Sequence, residues 1–126
     1  MRRSTEFGVK TAGGSMTTIF ERIIEGAVEC DKVFEDENFI VIKDKFPQAP
    51  VHLLIIPKKH IEKLQDMQSD DFSLLSEAGK IIQLMARDFG IENGYRVVIN
   101  NGLEGGQSVF HLHIHLLGGG LLGSIA

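Results

Sequence analysis

The chain carries one cysteine, one tyrosine, three prolines and no tryptophan. A single thiol cannot build a disulfide framework. That excludes the small disulfide-stapled secreted class and points to a reducing, cytoplasmic setting. The thiol, Cys30, lies in AVECDKVF, where acidic neighbours disfavour a thiolate, so it is read as a bystander. Long apolar runs are missing too, and none approaches the roughly 20 residues of a membrane-spanning helix. Positive charge is scarce: 13 lysines and arginines against 17 aspartates and glutamates leave a formal charge of −4. A broad basic surface for nucleic acid is thereby excluded, while a local anion site is not.

What is present suffices for one domain. In 126 residues, 43% hydrophobic content can close a core without staples. The first fifteen residues, MRRSTEFGVKTAGGS, are polar, Gly/Ser/Thr-rich and without period. They are read as an expression-tag leader, irregular or disordered, leaving 16–126 as the single domain.

Within that domain TTIFERIIEGA reads as a short helix, with Thr17 and Thr18 as capping types and Gly26 as its end. KVFEDENFIVIKD reads as two strands around an Asp36–Asn38 turn. VHLLIIP, bounded by the stiff KFPQAP connection, reads as a strand central in its sheet. From Ser69 the period changes. Phe72, Leu75, Gly79, Ile82, Met85 and Phe89 recur at three- and four-residue steps, predicting one long helix capped by Ser69. YRVVINN and HLHIHLL supply the remaining strands. The class is therefore α+β, a five-stranded antiparallel sheet with one long and one short helix.

Three of the five histidines stand at alternate positions in SVFHLHIHLL. On a strand this period sends His111, His113 and His115 to one side and Leu112, Ile114 and Leu116 to the other. A helix would splay them. His52, in the other strongly apolar strand, reaches the same face if the two strands are neighbours. Three readings compete. A structural cluster must find partners for every buried imidazole. A zinc site is limited because three alternating residues span about 13–14 Å, too far to share one ion, and no acid or cysteine adjoins them in sequence. Phosphoryl chemistry fits the preceding GLEGGQSV best. Its glycines let backbone N–H groups approach an anion, Ser108 adds a hydroxyl, and a neutral imidazole is a nucleophile at neutral pH. His60 is read as a surface or loop-packing residue, and Lys58 and Lys59 as a solvated turn.

GGQSVFHLHIHLLGG resembles the signature of the histidine-triad (HIT) family, in which histidines alternate with apolar residues. PQAPVHLLIIPKKHI and GYRVVINNGLEGGQSV resemble its Hint branch, the purine nucleoside phosphoramidases. The resemblance runs from about Ile19 to Gly119. It implies a homodimer and the hydrolysis of nucleoside 5'-phosphoramidates to a nucleoside monophosphate and an amine. Some bacterial relatives hold a structural zinc partly through N-terminal cysteines, which this chain lacks, so no metal and no cofactor is expected. A nucleotide-binding scaffold with vestigial hydrolysis is the alternative.

By the same resemblance His113 is the nucleophile, His111 fixes its tautomer through a backbone carbonyl, His115 bonds the phosphate and His52 supports the array. Ser108 contacts the leaving-group atom. Asn100, Gly106, Gln107 and Val109 line the phosphate and ribose region, and Asp44 holds the ribose hydroxyls. Ile19, Phe20 and Ile23 form one side of the base pocket, with Ile42, Lys43 and Lys45 on the other. The chain departs from the branch in having Ile42 where an aromatic residue is common, in the lysines that flank Asp44, and in a GGGLLGSIA ending without Trp-Pro-Pro.

Overall fold

The structure is a computed structural model that describes residues 9–10 and 16–124. The expected leader otherwise lies outside the described residues, apart from β1 (Val9–Lys10), which pairs antiparallel with β2 (Met16–Thr17). There follow α1 (Ile19–Ile24), β3 (Lys32–Glu35), β4 (Phe39–Lys43), β5 (Val51–Pro57), α2 (Phe72–Asp88), β6 (Tyr95–Val98) and β7 (Ile114–Gly118). The five later strands form one antiparallel sheet in the order β3-β4-β5-β7-β6. The α+β expectation holds, and β5 is the central strand.

Both faces of the sheet's middle are covered, which is why β4 and β5 read as nearly unbroken apolar runs. Phe39, Val41, Leu53, Ile55, Ile114 and Leu116 face α2 and pack on Ala78, Ile81, Ile82, Met85 and Ala86. Ile40, Ile42, Leu54 and Ile56 point the other way and pack on Phe20 and Ile23 of α1. Fully burying one such aliphatic side chain is worth about 1.5–3 kcal/mol. This double-sided core is what holds the short α1 in place, since a helix of this length is not stable alone.

Four details differ from the sequence reading. The buried stripe of α2 is rotated from the expected one, and Phe72 is exposed. The helix entry is made by a 3-10 turn, Ser69–Asp71, in which Gln68 and Asp71 cap each other, so Ser69 is not the cap. The buried Asp71 carboxylate also holds Lys59, while Lys58 pairs with Glu35 at 2.7 Å. Both lysines are therefore clamped. Finally, β7 begins at Ile114, not at His111. The ladder to β5 stops at Ile55↔Ile114 because the chain before it follows other partners. Leu112 N–H donates to the Ile61 carbonyl, and the Leu112 side chain joins Ile61 and Met67 in a separate small cluster.

Candidate active site

The alternation of the histidines survives the early end of the ladder. Phe20, rising from α1, meets the ring of His111 at 6.2 Å and that of His113 at 4.9 Å, both edge-on. His113 and His115 have ring centroids 5.1 Å apart. In register, Leu54 faces His115 across the β5–β7 pair. The histidines thus line the α1 side of the sheet, and His111, His113, His115 and His52 are all buried.

Their hydrogen bonds assign their protons. His113 Nδ1–H donates to the His111 carbonyl at 2.8 Å, which puts the lone pair of the neutral ring on Nε2. His111 Nε2–H donates to the Pro57 carbonyl at 2.7 Å, while its Nδ1 is buried with no donor among the described residues. Burial pushes the His111 imidazole below its ordinary value, and nearby His60 lowers it further against the raising effects of the Pro57 carbonyl and Glu21. Gln48 N–H donates to His52 Nδ1 at 2.9 Å. Nδ1 therefore carries the lone pair, and Nε2 of the neutral His52 ring carries the hydrogen. That Nε2 stands 2.9 Å from His115 Nδ1, so His115 accepts there and bears its own hydrogen on Nε2.

Asp44 joins this chain from the end of β4, with Oδ2 3.3 Å from His52 Nε2. The sequence placed no acid beside the histidines; the fold does. Asp44, His52 and His115 bring three ligand-type atoms within 4.8 Å of one another, close enough for a cation. The proton pattern opposes that use. A metal-bound imidazole turns its lone pair to the metal and donates its other N–H. His52 Nδ1 instead receives an N–H, which leaves a hydrogen on the nitrogen that would have to ligate.

A cavity of about 440 Å³ adjoins the array. Ile19, Phe20, Ile23, Ile42, Lys43 and Lys45 all border it, together with Asp44. Phe20 and Asp44 belong both to the cavity wall and to the histidine array. Glu29, Cys30 and Asp31 form a further stretch of the wall that sequence reasoning did not assign.

The glycine-rich loop is built differently from the anion nest expected of it. Gly106 has φ +88°, a backbone shape that suits glycine. The N–H groups of Gly105, Gly106 and Gln107, however, donate to the loop's own Gly102 and Leu103 carbonyls. Gln107, nearly fully buried, accepts from Gly102 N–H and donates to the Glu62 and Val109 carbonyls. Its amide pins the loop, whose continuation brings Ser108 to the start of the histidine segment. Val109 is buried against Phe20 in the α1-side core, and Asn100 lies beside Gly106.

The profile described as "Scavenger mRNA decapping enzyme C-term binding" matches residues 17–123. A HIT-like protein of Chlamydia trachomatis serovar D is 95% identical over 111 residues, 88% of this chain and 100% of its own. The crystal structure of a HIT family hydrolase from Legionella pneumophila is 44% identical, with TM-score 0.80, covering 82% of this chain and 93% of that one. This protein belongs to the histidine-triad (HIT) family. A histidine-triad protein from Clostridium difficile, 37% identical with TM-score 0.82, covers 86% of this HIT chain and 95% of its own.

One member of this HIT site carried no signal in the sequence. His60, half-exposed after the β5 turn, sets its ring 5.1 Å from that of His111 and its Nδ1 2.9 Å from Glu21 Oε2. The pattern Thr-x-x-Glu marks Glu21 as a capping partner of Thr18, and both halves of that capping box are formed. Nothing local announces that the same carboxylate also reaches His60, 39 positions away.

Proposed function

We propose that this HIT protein is a hydrolase of the Hint type, cleaving purine nucleoside 5'-phosphoramidates through a nucleotidyl-histidine. The observation that carries the reading is the 2.8 Å hydrogen bond from His113 Nδ1 to the His111 carbonyl. It holds a neutral imidazole with its lone pair on Nε2, the form needed for attack on phosphorus. The hydrogen on His115 Nε2 is a donor for a phosphoryl oxygen, where charge gathers as the bond forms. Among the described residues, the N–H groups of Ser108 and Val109 are not taken up by the loop's carbonyls, unlike the three before them, and stand as further donors.

In the first step His113 Nε2 bonds to phosphorus, the P–N bond breaks and the amine leaves, taking one proton from solvent. In the second, water attacks phosphorus, the P–Nε2 bond breaks, and the nucleoside monophosphate is released as the water gives one proton back to solvent. The nucleoside occupies the cavity between α1 and β4, its base between Ile19, Phe20 and Ile23 on one side and Ile42, Lys43 and Lys45 on the other. Asn100, Gly106, Gln107 and Val109 frame the phosphate and ribose, and Ser108 meets the leaving group. By the resemblance Asp44 serves the ribose, and it borders the same cavity.

The active form is a cytoplasmic homodimer. The sheet ends on β6, where Tyr95 and Val97 are exposed, and a second copy pairing at that edge would cover them. No helix among the described residues is long and apolar enough to cross a membrane.

Turnover of a fluorogenic adenosine phosphoramidate tests the reading. Wild type should exceed His113→Ala by on the order of a thousandfold or more. Equal rates with nucleotide affinity retained would favour a binding scaffold instead. Sedimentation at micromolar concentration tests the dimer.

A further inference from the structure

Asp44 faces inward. Its side chain has no solvent exposure, Oδ1 accepts Phe46 N–H at 2.8 Å, and Oδ2 lies 3.3 Å from His52 Nε2. The connection between β4 and β5 that begins with this residue also supplies Gln48, whose N–H meets the other nitrogen of the same ring. Asp44 N–H in turn donates to the His52 carbonyl at 2.9 Å. One short, proline-stiffened segment therefore holds His52 at Nδ1 and at its backbone, and sets a buried carboxylate beside Nε2.

The two grips have opposite chemical character. A backbone N–H only donates, and an ionised carboxylate only accepts. A donor at Nδ1 and an acceptor beside Nε2 leave His52 a single neutral tautomer, with its hydrogen on Nε2. That hydrogen is aimed at His115 Nδ1, which in turn commits the remaining hydrogen of His115 to Nε2. We infer that Asp44 is a positioning residue which, acting through His52, holds the His115 N–H ready for the phosphoryl group. A ribose contact alone explains neither the buried carboxylate nor its place against an imidazole. The inference rests on the phosphoramidase reading above for its kinetic test, and on geometry alone for its spectroscopic one.

Asp44→Asn is the informative change. An amide keeps an acceptor for Phe46 N–H but removes the carboxylate charge that stands beside His52 Nε2. The variant and wild type are compared on adenosine and 2',3'-dideoxyadenosine phosphoramidates, with thermal midpoint and AMP affinity as checks on folding. A positioning role predicts a fall in kcat of about tenfold or more, with KM little changed and the same fold-loss on both substrates. A loss confined to KM and to the ribose-bearing substrate, or no loss in kcat, would overturn it.

Imidazole ¹⁵N NMR supplies the second readout. Wild-type His52 and His115 should both show the Nε2–H tautomer at neutral pH, and Asp44→Asn should mix the His52 tautomers. An Nδ1–H tautomer at either ring in wild type overturns the inference, whether or not the variant folds. If wild type turns over neither substrate yet shows the expected tautomers, the phosphoramidase reading fails and the positioning chain stands.

Discussion

The ring of Phe20 stands edge-on to that of His113, their centroids 4.9 Å apart, while the same ring forms part of the cavity wall. The cavity and the proposed nucleophile are thus joined by one side chain. Phe20→Ala should destabilise the fold by about 3–5 kcal/mol, since the ring is almost fully buried. Phe20→Leu should cost about 1 kcal/mol and still bind nucleotide, but with lower kcat, because the aromatic edge that steadies His113 is lost. Urea denaturation and steady-state kinetics on the two variants separate packing from positioning.

A covalent intermediate has a chemical signature. A nucleotide bonded to imidazole nitrogen is labile in acid and stable in base. Rapid quenching of wild type with a phosphorus-labelled phosphoramidate should leave labelled protein with that behaviour, and His113→Ala should leave none. Label that survives acid would point to a different nucleophile.

Thr18→Ala removes the side-chain acceptor for Glu21 N–H at the start of α1. The expected cost is about 1 kcal/mol. Because α1 carries Ile19, Phe20 and Ile23, KM should rise, and kcat should fall by less than in Phe20→Leu because the Phe20 ring is kept. Unchanged KM and kcat would show that the α1 entry does not bear on the site.

Two glycines should fail for different reasons. A Cβ on Gly118 would meet Ile91 Cδ1 at 2.8 Å, so Gly118→Ala overpacks the α2 face and should cost about 1–3 kcal/mol. At Gly106 the nearest atoms are 4.0 Å away, on Asn100, and the penalty comes from φ +88°. Gly106→Ala should cost about 1–2 kcal/mol and disturb activity more than Gly118→Ala does. Ile91→Val should relieve the first variant in part, since it removes Cδ1 but keeps Cβ and Cγ2 at 3.1 and 3.2 Å, and leave the second unchanged.

Stability should fall as the solution is acidified, in two stages. Burial keeps the His111 imidazole below its ordinary 6.5, so the unfolded chain binds the proton first. The stability His111 contributes is present above pH 6.5 and is lost as pH falls below it. Glu35 is held at about 2 by Lys32 and Lys58, so its contribution is present above pH 4.5 and fades only as pH falls toward 2. Being on the surface, that second stage should be small and weaken with salt. Denaturant midpoints from pH 7.5 to 5 for wild type and His111→Gln check the first stage: the variant should show a flatter slope.

The period of two in HLHIHLL and the unbroken apolar runs of β4 and β5 were enough to place strands, a central position for β5 and a shared side for three histidines. These follow from the geometry of a single extended chain, where neighbouring side chains must alternate whatever else is present. Capping types and turn residues likewise marked α1 and the β3–β4 hairpin through local sterics and hydrogen bonding. The phase of the α2 stripe was less legible, because the entry turn shifts which face meets the sheet. What only tertiary structure decided is which distant groups complete the site. His52 meets His115 across 63 positions because β5 and β7 are neighbours in register. Asp44 arrives beside them from the end of β4, His60 finds Glu21 on α1, and Gln107 turns its amide into the loop. A sequence specifies such proton-bearing contacts only through the sheet order and helix docking that bring the partners together, and those are properties of the whole core.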